Sequence, residues 1–176
     1  ECGVKLKNNI QGHAGKFLFG TWGDTPVVIS SGRVPFNQTH DDRTLLRDWM
    51  GILFAFMGEG RRLIVTQAVG GLTPELLVGT IAIPTETFVS HLQPTYMNDG
   101  EFFTPEAELP KGNAPYVQAA VRAASAAGLQ YRTSVSYFPV CGPIFGGRGD
   151  RRVLKALGFE TVGMSLIPEL ALTNLN

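Results

Sequence analysis

Apolar residues recur along the chain at two spacings, one typical of strands and one typical of helices. Short runs rich in Val, Ile and Phe predict strands over residues 16–20, 26–30, 63–66, 79–88, 133–140 and 159–166. Apolar positions three and four apart, with capping residues, predict helices that begin near residues 42, 113, 150 and 168. The first two strands are expected to form an antiparallel hairpin, and the first helix to pack on the sheet. The alternation of elements predicts an α/β fold with a mixed, largely parallel sheet flanked by helices.

The stretch over residues 62–73 is expected to be central to this fold. Its apolar and β-branched residues over 63–66 suit a strand that is covered on both faces and paired in parallel through the preceding helix. Gly70 and Gly71 follow, and glycine lets the backbone come close to a ligand. Because ligands bind at the ends of strands in open α/β sheets, the sequence predicts a ligand site beside this glycine pair.

A long segment over residues 94–113 carries Pro, Gly and acidic residues without a hydrophobic period. Loops of this length in a compact domain are usually functional or poorly ordered. We therefore expect this loop to cover a ligand or to contact another subunit.

The composition narrows the class of protein. The 176 residues fit a single domain over 1–176, and the 15 basic and 15 acidic side chains form no block of like charge, which indicates no nucleic-acid partner. Cys2 and Cys141 are too few for a disulfide framework, and His13, His40 and His91 lack the spacing of metal ligands. No apolar run approaches the roughly 20 residues of a membrane helix, and the N-terminus lacks the pattern of a signal peptide. We expect a cytoplasmic protein that uses no metal or cofactor and binds no membrane.

Four regions carry a resemblance to a known family. They are Gly-His-Ala-Gly at 12–15, Ser-Gly-Arg at 31–33, Val-Thr-Gln-Ala-Val-Gly-Gly-Leu at 65–72, and Gly-Pro-Ile-Phe at 142–145 with Val-Gly-Met-Ser-Leu-Ile-Pro-Glu at 162–169. In this order and at these spacings they resemble the trimeric purine nucleoside phosphorylase and methylthioadenosine phosphorylase family. The resemblance covers nearly the whole chain from residue 12. The family's N-terminal glycine-rich phosphate loop and its C-terminal base-binding and ribose-binding segment are expected to be absent from 1–176.

The resemblance implies a pentosyltransferase of purine metabolism. Such an enzyme uses phosphate as a co-substrate to cleave the N-glycosidic bond of a purine nucleoside, which gives the free base and a pentose 1-phosphate. The ribose passes through an oxocarbenium-like state, so the bound anion is both nucleophile and electrostatic partner. The matching positions imply that phosphate is bound by His13, Arg33, the backbone N–H of Ala68 and the hydroxyl of Ser165. No residue is assigned as a general acid or base.

The resemblance also implies the residues that contact the nucleoside. Phe145 and Met164 would line the ribose and base beside Gly70, although ordinary core packing is an alternative for both side chains. Family members are trimers in which a phenylalanine from the long loop covers the ribose of the neighbouring subunit. We therefore expect a homotrimer with Phe103, or failing that Phe102, at the subunit boundary. The alternative is that both rings fold back onto their own subunit.

Three segments depart from the family's usual pattern. Val34 and Pro35 occupy the stretch where a second phosphate-binding histidine is usual, and Gln67 replaces an asparagine. Gly146 stands where enzymes for 6-oxopurines carry a glutamate, so the sequence is closer to the methylthioadenosine branch. Inosine and guanosine are therefore expected to be poor substrates. Two other hypotheses stay open: a family member without turnover that serves as a nucleoside-binding or structural subunit, and a hydrolase or transferase acting on an unusual base.

Overall fold

The computed structural model describes residues 15–34, 43–57, 61–88, 109, 111–167 and 169–170, with the backbone alone for 43–47. The chain divides into two compact units, Glu1–Leu63 and Ile64–Asn176. The elements in chain order are β1 (Lys16–Trp22), β2 (Thr25–Ser31), α1 (Arg43–Phe56), β3 (Gly70–Gly71), β4 (Ile81–Thr87), α2 (Pro115–Ala126), β5 (Tyr131–Pro139), α3 (Arg148–Ala156) and β6 (Thr161–Gly163). The expectation of a single domain stays a prediction.

The first unit contains the predicted antiparallel hairpin. Strands β1 and β2 pair along their full length, from Lys16 opposite Ser31 to Trp22 opposite Thr25. Gly23 takes a positive φ of 58° in the two-residue turn between them, a conformation that glycine adopts without steric cost. The hairpin prediction is confirmed.

Helix α1 packs an aromatic face on this hairpin, as its apolar spacing predicted. The Phe17 ring stacks on Trp49 with centroids 5.2 Å apart, and it meets Phe56 edge-on at 5.3 Å. Trp49 and Met50 are almost completely buried. Each aromatic pair adds about 1 kcal/mol beyond the area that it buries, so these rings hold the helix on the hairpin.

The second unit is built on a four-stranded sheet in the order β3-β6-β5-β4. Strand β5 pairs in parallel with β4 on one side and with β6 on the other, whereas β3 pairs antiparallel with β6. Helix α2 connects β4 to β5 and helix α3 connects β5 to β6, because parallel neighbours need a crossover connection. The sheet is therefore mixed and largely parallel, as predicted.

Strand β5 lies at the centre of this unit, and its side chains form much of the core. Val135 and Tyr137 are fully buried. Tyr137 packs with Leu166, Ile167 and Leu170 in one apolar cluster. The second half of β5, over residues 135–139, is thus the well-covered part of this sheet.

The prediction of a buried central strand over 63–66 is wrong. Residues 61–69 form no strand, and the parallel pair expected for 63–66 is therefore wrong as well. Ile64 is 86% exposed, while Leu63 and Val65 are half-buried. The burial alternates along the segment because one side of an extended backbone contacts the protein and the other faces solvent. Apolar content alone did not reveal that this segment lacks a neighbouring strand in the described part of the chain.

Other boundaries differ by a few residues from the sequence predictions. Strand β6 spans Thr161–Gly163, a shorter span than 159–166. The closing helix begins at residue 167, one residue before the predicted start, and the Leu170 N–H donates to the Leu166 carbonyl at 2.8 Å. Of the loop predicted over 94–113, residues 94–108 and 110 lie outside the described residues. No helix in the described ranges is long and apolar enough to cross a membrane.

Candidate functional site

The loops that carry the expected nucleoside and phosphate residues leave from one edge of the second unit's sheet. Pro139 at the end of β5 lies opposite Gly163 at the end of β6, and the Val140 N–H donates to the Gly163 carbonyl at 2.8 Å. Both strands run in the same direction, so the loops that follow them emerge side by side. This edge of the sheet is the candidate site.

Ser165 lies in the loop after β6, and one buried hydroxyl fixes its backbone. The Tyr137 O–H donates to the Ser165 carbonyl at 2.6 Å, and the Ser165 N–H donates back to the same phenolic oxygen at 3.3 Å. Leu166 follows with a φ of 82°, a backbone conformation that residues other than glycine rarely adopt. Within the described residues the Ser165 hydroxyl makes no hydrogen bond. Its backbone is held while its hydroxyl is available to a ligand.

Ala68 follows Gln67, whose side chain reaches the same hydroxyl. The Gln67 side-chain amide is 3.2 Å from the Tyr137 oxygen. Ala68 itself is exposed, and its N–H has no partner among the residues that the structure describes. A free backbone N–H at the rim of a sheet is the kind of donor that binds a phosphate oxygen.

Met164 faces the start of the other loop. Its sulfur lies 2.7 Å from the position that a Cβ on Gly142 would occupy, and Gly142 has a φ of 71°. Met164 is half-buried, so part of its side chain stays accessible. Glycine at position 142 is therefore needed both for its conformation and for the space that the methionine fills.

Phe145 lies on the surface of the second unit, outside its core. It is 88% exposed and borders an open cavity of about 250 Å³, together with Asp150, Arg151 and Val162. An exposed aromatic ring beside charged side chains can stack on a heterocycle, and core packing does not explain it.

The position of the family's glutamate, Gly146, lies against the first turn of α3. A Cβ placed there would be 3.4 Å from the Asp150 carboxylate. That carboxylate already accepts a hydrogen bond from the Gly147 N–H at 2.6 Å, which caps the helix. Asp150 is a carboxylate near the base-binding loop that the sequence analysis did not single out.

The glycine pair of β3 has a packing role in this unit. A Cβ on Gly70 would lie 3.2 Å from a Val162 methyl group, and one on Gly71 would lie 2.8 Å from the Leu76 carbonyl oxygen. The antiparallel pairing with β6 therefore already requires small residues here. Close approach of a ligand at Gly70 stays a prediction.

Arg33 belongs to the first unit, where it follows β2 and Gly32. The residue is half-buried, and its Nη1 atom is inaccessible to solvent. Arg33 therefore packs against the protein, and its role as a phosphate ligand stays a prediction. His13 and Phe103, the remaining predicted site residues, lie outside the described residues.

The Tyr137 hydroxyl bonds to Gln67 and to the Ser165 backbone, and it therefore links the segments that carry Ala68 and Ser165. The sequence analysis placed Tyr137 in a strand without a role. The signal that could have found it is a tyrosine in a predicted central strand, because a buried hydroxyl needs a hydrogen-bond partner. Among the described residues no group of three or more His, Cys, Asp or Glu could hold a metal ion.

The whole chain, residues 1–176, matches the family model of the Phosphorylase superfamily. It is 27% identical over 173 residues to purine nucleoside phosphorylase 1 of Bacillus subtilis, a match that covers 95% of this chain and 61% of that protein. It is 28% identical over 176 residues to the purine nucleoside phosphorylase of Mus musculus, covering 93% of this chain and 58% of that protein. The chain thus spans about three fifths of the length of these relatives.

Solved structures show the same fold. The purine nucleoside phosphorylase of Schistosoma mansoni in a complex with BCX-34 superposes with a TM-score of 0.73 at 23% identity, over 93% of this chain and 63% of that chain. The same organism's enzyme in complex with hypoxanthine gives a TM-score of 0.69 at 23% identity, over 89% of this chain and 57% of that chain. The family resemblance and the mixed α/β fold predicted from the sequence are both confirmed, and the chain belongs to the phosphorylase superfamily.

Proposed function

We propose that the protein cleaves the N-glycosidic bond of a purine nucleoside with phosphate and releases the free base and a pentose 1-phosphate. The observation that carries this proposal is the pair of donors on the two segments that the Tyr137 hydroxyl links. The Ala68 N–H and the Ser165 hydroxyl have no partner among the described residues, and the Tyr137 oxygen lies within hydrogen-bond distance of Gln67 and of the Ser165 backbone.

The chemistry explains why such donors matter. As the glycosidic bond breaks, positive charge develops on the ribose, and an anion held under the ring stabilises that charge and then attacks C1′. Neutral N–H and O–H donors bind phosphate without cancelling its charge completely. In the proposed site Ala68 and Ser165 bind the phosphate, and the family resemblance implies Arg33 and His13 as further phosphate ligands.

The nucleoside side of the site is proposed from the two apolar residues that flank it. Met164, half-buried against Gly142, would contact the ribose, and the exposed Phe145 ring would stack on the base. The relatives from Bacillus subtilis and Mus musculus are named purine nucleoside phosphorylases, and the Schistosoma mansoni enzyme was solved with hypoxanthine, which supports a purine as the base. Gly146 favours a purine without a 6-oxo group, as in methylthioadenosine.

A binding subunit without turnover is the second candidate, because one specific position favours it. Val34 is 5% exposed and occupies the stretch where the family usually carries a second phosphate-binding histidine. A buried valine donates nothing to an anion, so the phosphate site would be weaker by one donor. Such a subunit would still bind the nucleoside.

Thermal melting with and without phosphate tests the proposed anion site. A ligand that binds only the folded state raises stability by about 2.7 kcal/mol when present at 100 times its dissociation constant. We expect the melting temperature to rise with phosphate concentration. A melting temperature that phosphate does not change would remove the basis for phosphorolysis.

A further inference from the structure

We propose that Tyr137 is a positioning residue of the phosphate site, and that its hydroxyl fixes the two segments that carry Ser165 and Ala68. This inference rests on the proposed function and deepens it. Tyr137 does not touch the phosphate itself. It acts through the residues that do.

The ring of Tyr137 is held rigidly. It lies on β5, opposite Thr87 of β4 and Thr161 of β6, and it is fully buried. Gly163 leaves the space that the ring needs, since a Cβ at that position would lie 3.0 Å from both the Tyr137 hydroxyl and its Cε2 atom. The hydroxyl is therefore presented at a fixed point at the rim of the sheet.

The Tyr137 hydroxyl makes three hydrogen bonds. It carries a single proton, which it shares between the Ser165 carbonyl at 2.6 Å and the Gln67 Oε1 atom at 3.2 Å, and the shorter bond is the stronger of the two. Its oxygen accepts a hydrogen bond from the Ser165 N–H at 3.3 Å.

These three bonds join segments that are far apart in the sequence. Gln67 is 70 residues from Tyr137 and Ser165 is 28 residues from it. One bond reaches the residue before Ala68, and two hold the peptide group on each side of the Ser165 Cα. Without the hydroxyl, both segments would lose the hydrogen bonds that set their distance from each other. The relative position of the two proposed phosphate donors would then no longer be fixed.

The backbone of Leu166 also needs support from neighbouring residues. Its φ of 82° costs free energy for a residue other than glycine, so the loop after β6 keeps this shape only if its neighbours hold it. Leu166 is buried in the cluster around the Tyr137 ring, and Ser165 is bonded to the Tyr137 hydroxyl. The same residue thus holds both sides of the strained turn.

The test is the phosphate affinity of Tyr137→Phe, measured by titration calorimetry and by the KM for phosphate. Tyr131→Phe is the matched control, because it makes the same chemical change on the same strand and its hydroxyl makes no hydrogen bond among the described residues. We expect phosphate to bind Tyr137→Phe about tenfold more weakly, which is the scale of one weakened hydrogen bond to a charged group. Tyr131→Phe should bind phosphate like the wild type.

A double-mutant cycle separates positioning from a general loss of structure. If Tyr137 acts through Ser165, then Ser165→Ala should weaken phosphate binding in the wild type but much less in Tyr137→Phe. Equal effects of Ser165→Ala in both backgrounds would contradict the inference. If Tyr137→Phe does not fold, Gln67→Leu keeps the ring and removes one of the three bonds, and it should weaken phosphate binding several-fold.

The outcomes distinguish this inference from the proposed function. Phosphate that binds wild type and Tyr137→Phe with the same affinity overturns the positioning role and leaves phosphorolysis intact. Unchanged phosphate affinity in Gln67→Leu, where Tyr137→Phe has not folded, overturns it equally. A wild-type protein that binds no phosphate overturns the proposed function and this inference together.

Discussion

The sulfur of Met164 fills the space directly in front of Gly142, 2.7 Å from where a Cβ would stand. Two loops of the candidate site thus meet at a contact that only glycine permits. Gly142→Ala should lower the free energy of unfolding by about 1–3 kcal/mol, because alanine is strained at a φ of 71° and overpacks the methionine. It should also raise the KM for the nucleoside as Met164 is displaced, which denaturant melts and steady-state kinetics would measure.

Gly149→Ala is the control for this substitution. Gly149 lies in α3 with open space around its Cβ position, so alanine should be neutral or slightly stabilising. If Gly142→Ala proved as stable and as active as Gly149→Ala, the contact with Met164 would have no role in the site.

Arg33 is expected to bind phosphate, and its substitution should affect both binding and stability. Arg33→Ala removes a planar donor that can hold two phosphate oxygens, and it also removes packing around the buried Nη1 atom. We expect the phosphate-dependent rise in melting temperature to be lost, with a lower melting temperature even without phosphate. Arg33→Lys should restore only part of the phosphate response, because lysine keeps the charge and loses the fork.

Arg61→Ala serves as the control, since this exposed arginine is in the same unit and donates to the Phe56 carbonyl at 2.8 Å. It should leave the phosphate response unchanged. A full phosphate response in Arg33→Ala would show that this arginine is structural.

The base preference follows from Gly146. With no side chain there to accept the ring N–H of a 6-oxopurine, inosine should be cleaved at least about tenfold less efficiently than adenosine or methylthioadenosine. Release of hypoxanthine and of adenine from matched nucleosides measures this ratio. Efficient inosine cleavage that disappears in Asp150→Asn would instead identify Asp150 as the acceptor, in addition to its bond from Gly147.

The assembly prediction concerns Phe103. A homotrimer in which this ring covers a neighbouring ribose would exclude water from the reactive sugar. We expect the intact protein to sediment as a trimer, and Phe103→Ala to raise the KM for the nucleoside, with Phe102→Ala as the comparison. A monomer with full activity would remove any role for a neighbouring subunit.

Local patterns were sufficient to predict most of the fold. The hairpin follows from two β-rich runs around Gly23, and α2 follows from Pro115 in its first turn with Val117 and Ala124 on the buried face. The segment over 63–66 was mispredicted because its apolar residues show only that burial would be favourable. They do not show whether a neighbouring strand covers Ile64.

The candidate site was predicted only in part. Ser165 and Met164 came from a family resemblance, and the structure shows how their loop is held. A tyrosine in a central strand indicates that its hydroxyl has hydrogen-bond partners, but the sequence does not identify them. Gln67 and Ser165 lie 70 and 28 residues away from Tyr137, and only the fold brings them together. The helix cap formed by Asp150 was not predicted. The three glycines at 146, 147 and 149 are typical of an irregular loop, so the helix was predicted to begin only near residue 150.

The central claim is that phosphate attacks the sugar, and analysis of the sugar product tests it most directly. The protein would be incubated with methylthioadenosine, adenosine or inosine, with and without phosphate, and the released sugar identified by mass spectrometry. The proposed function predicts a pentose 1-phosphate whose formation requires phosphate and falls sharply in Ser165→Ala. Free pentose formed equally without phosphate would show a hydrolase, and no release of base from any of the three nucleosides would contradict the proposed activity.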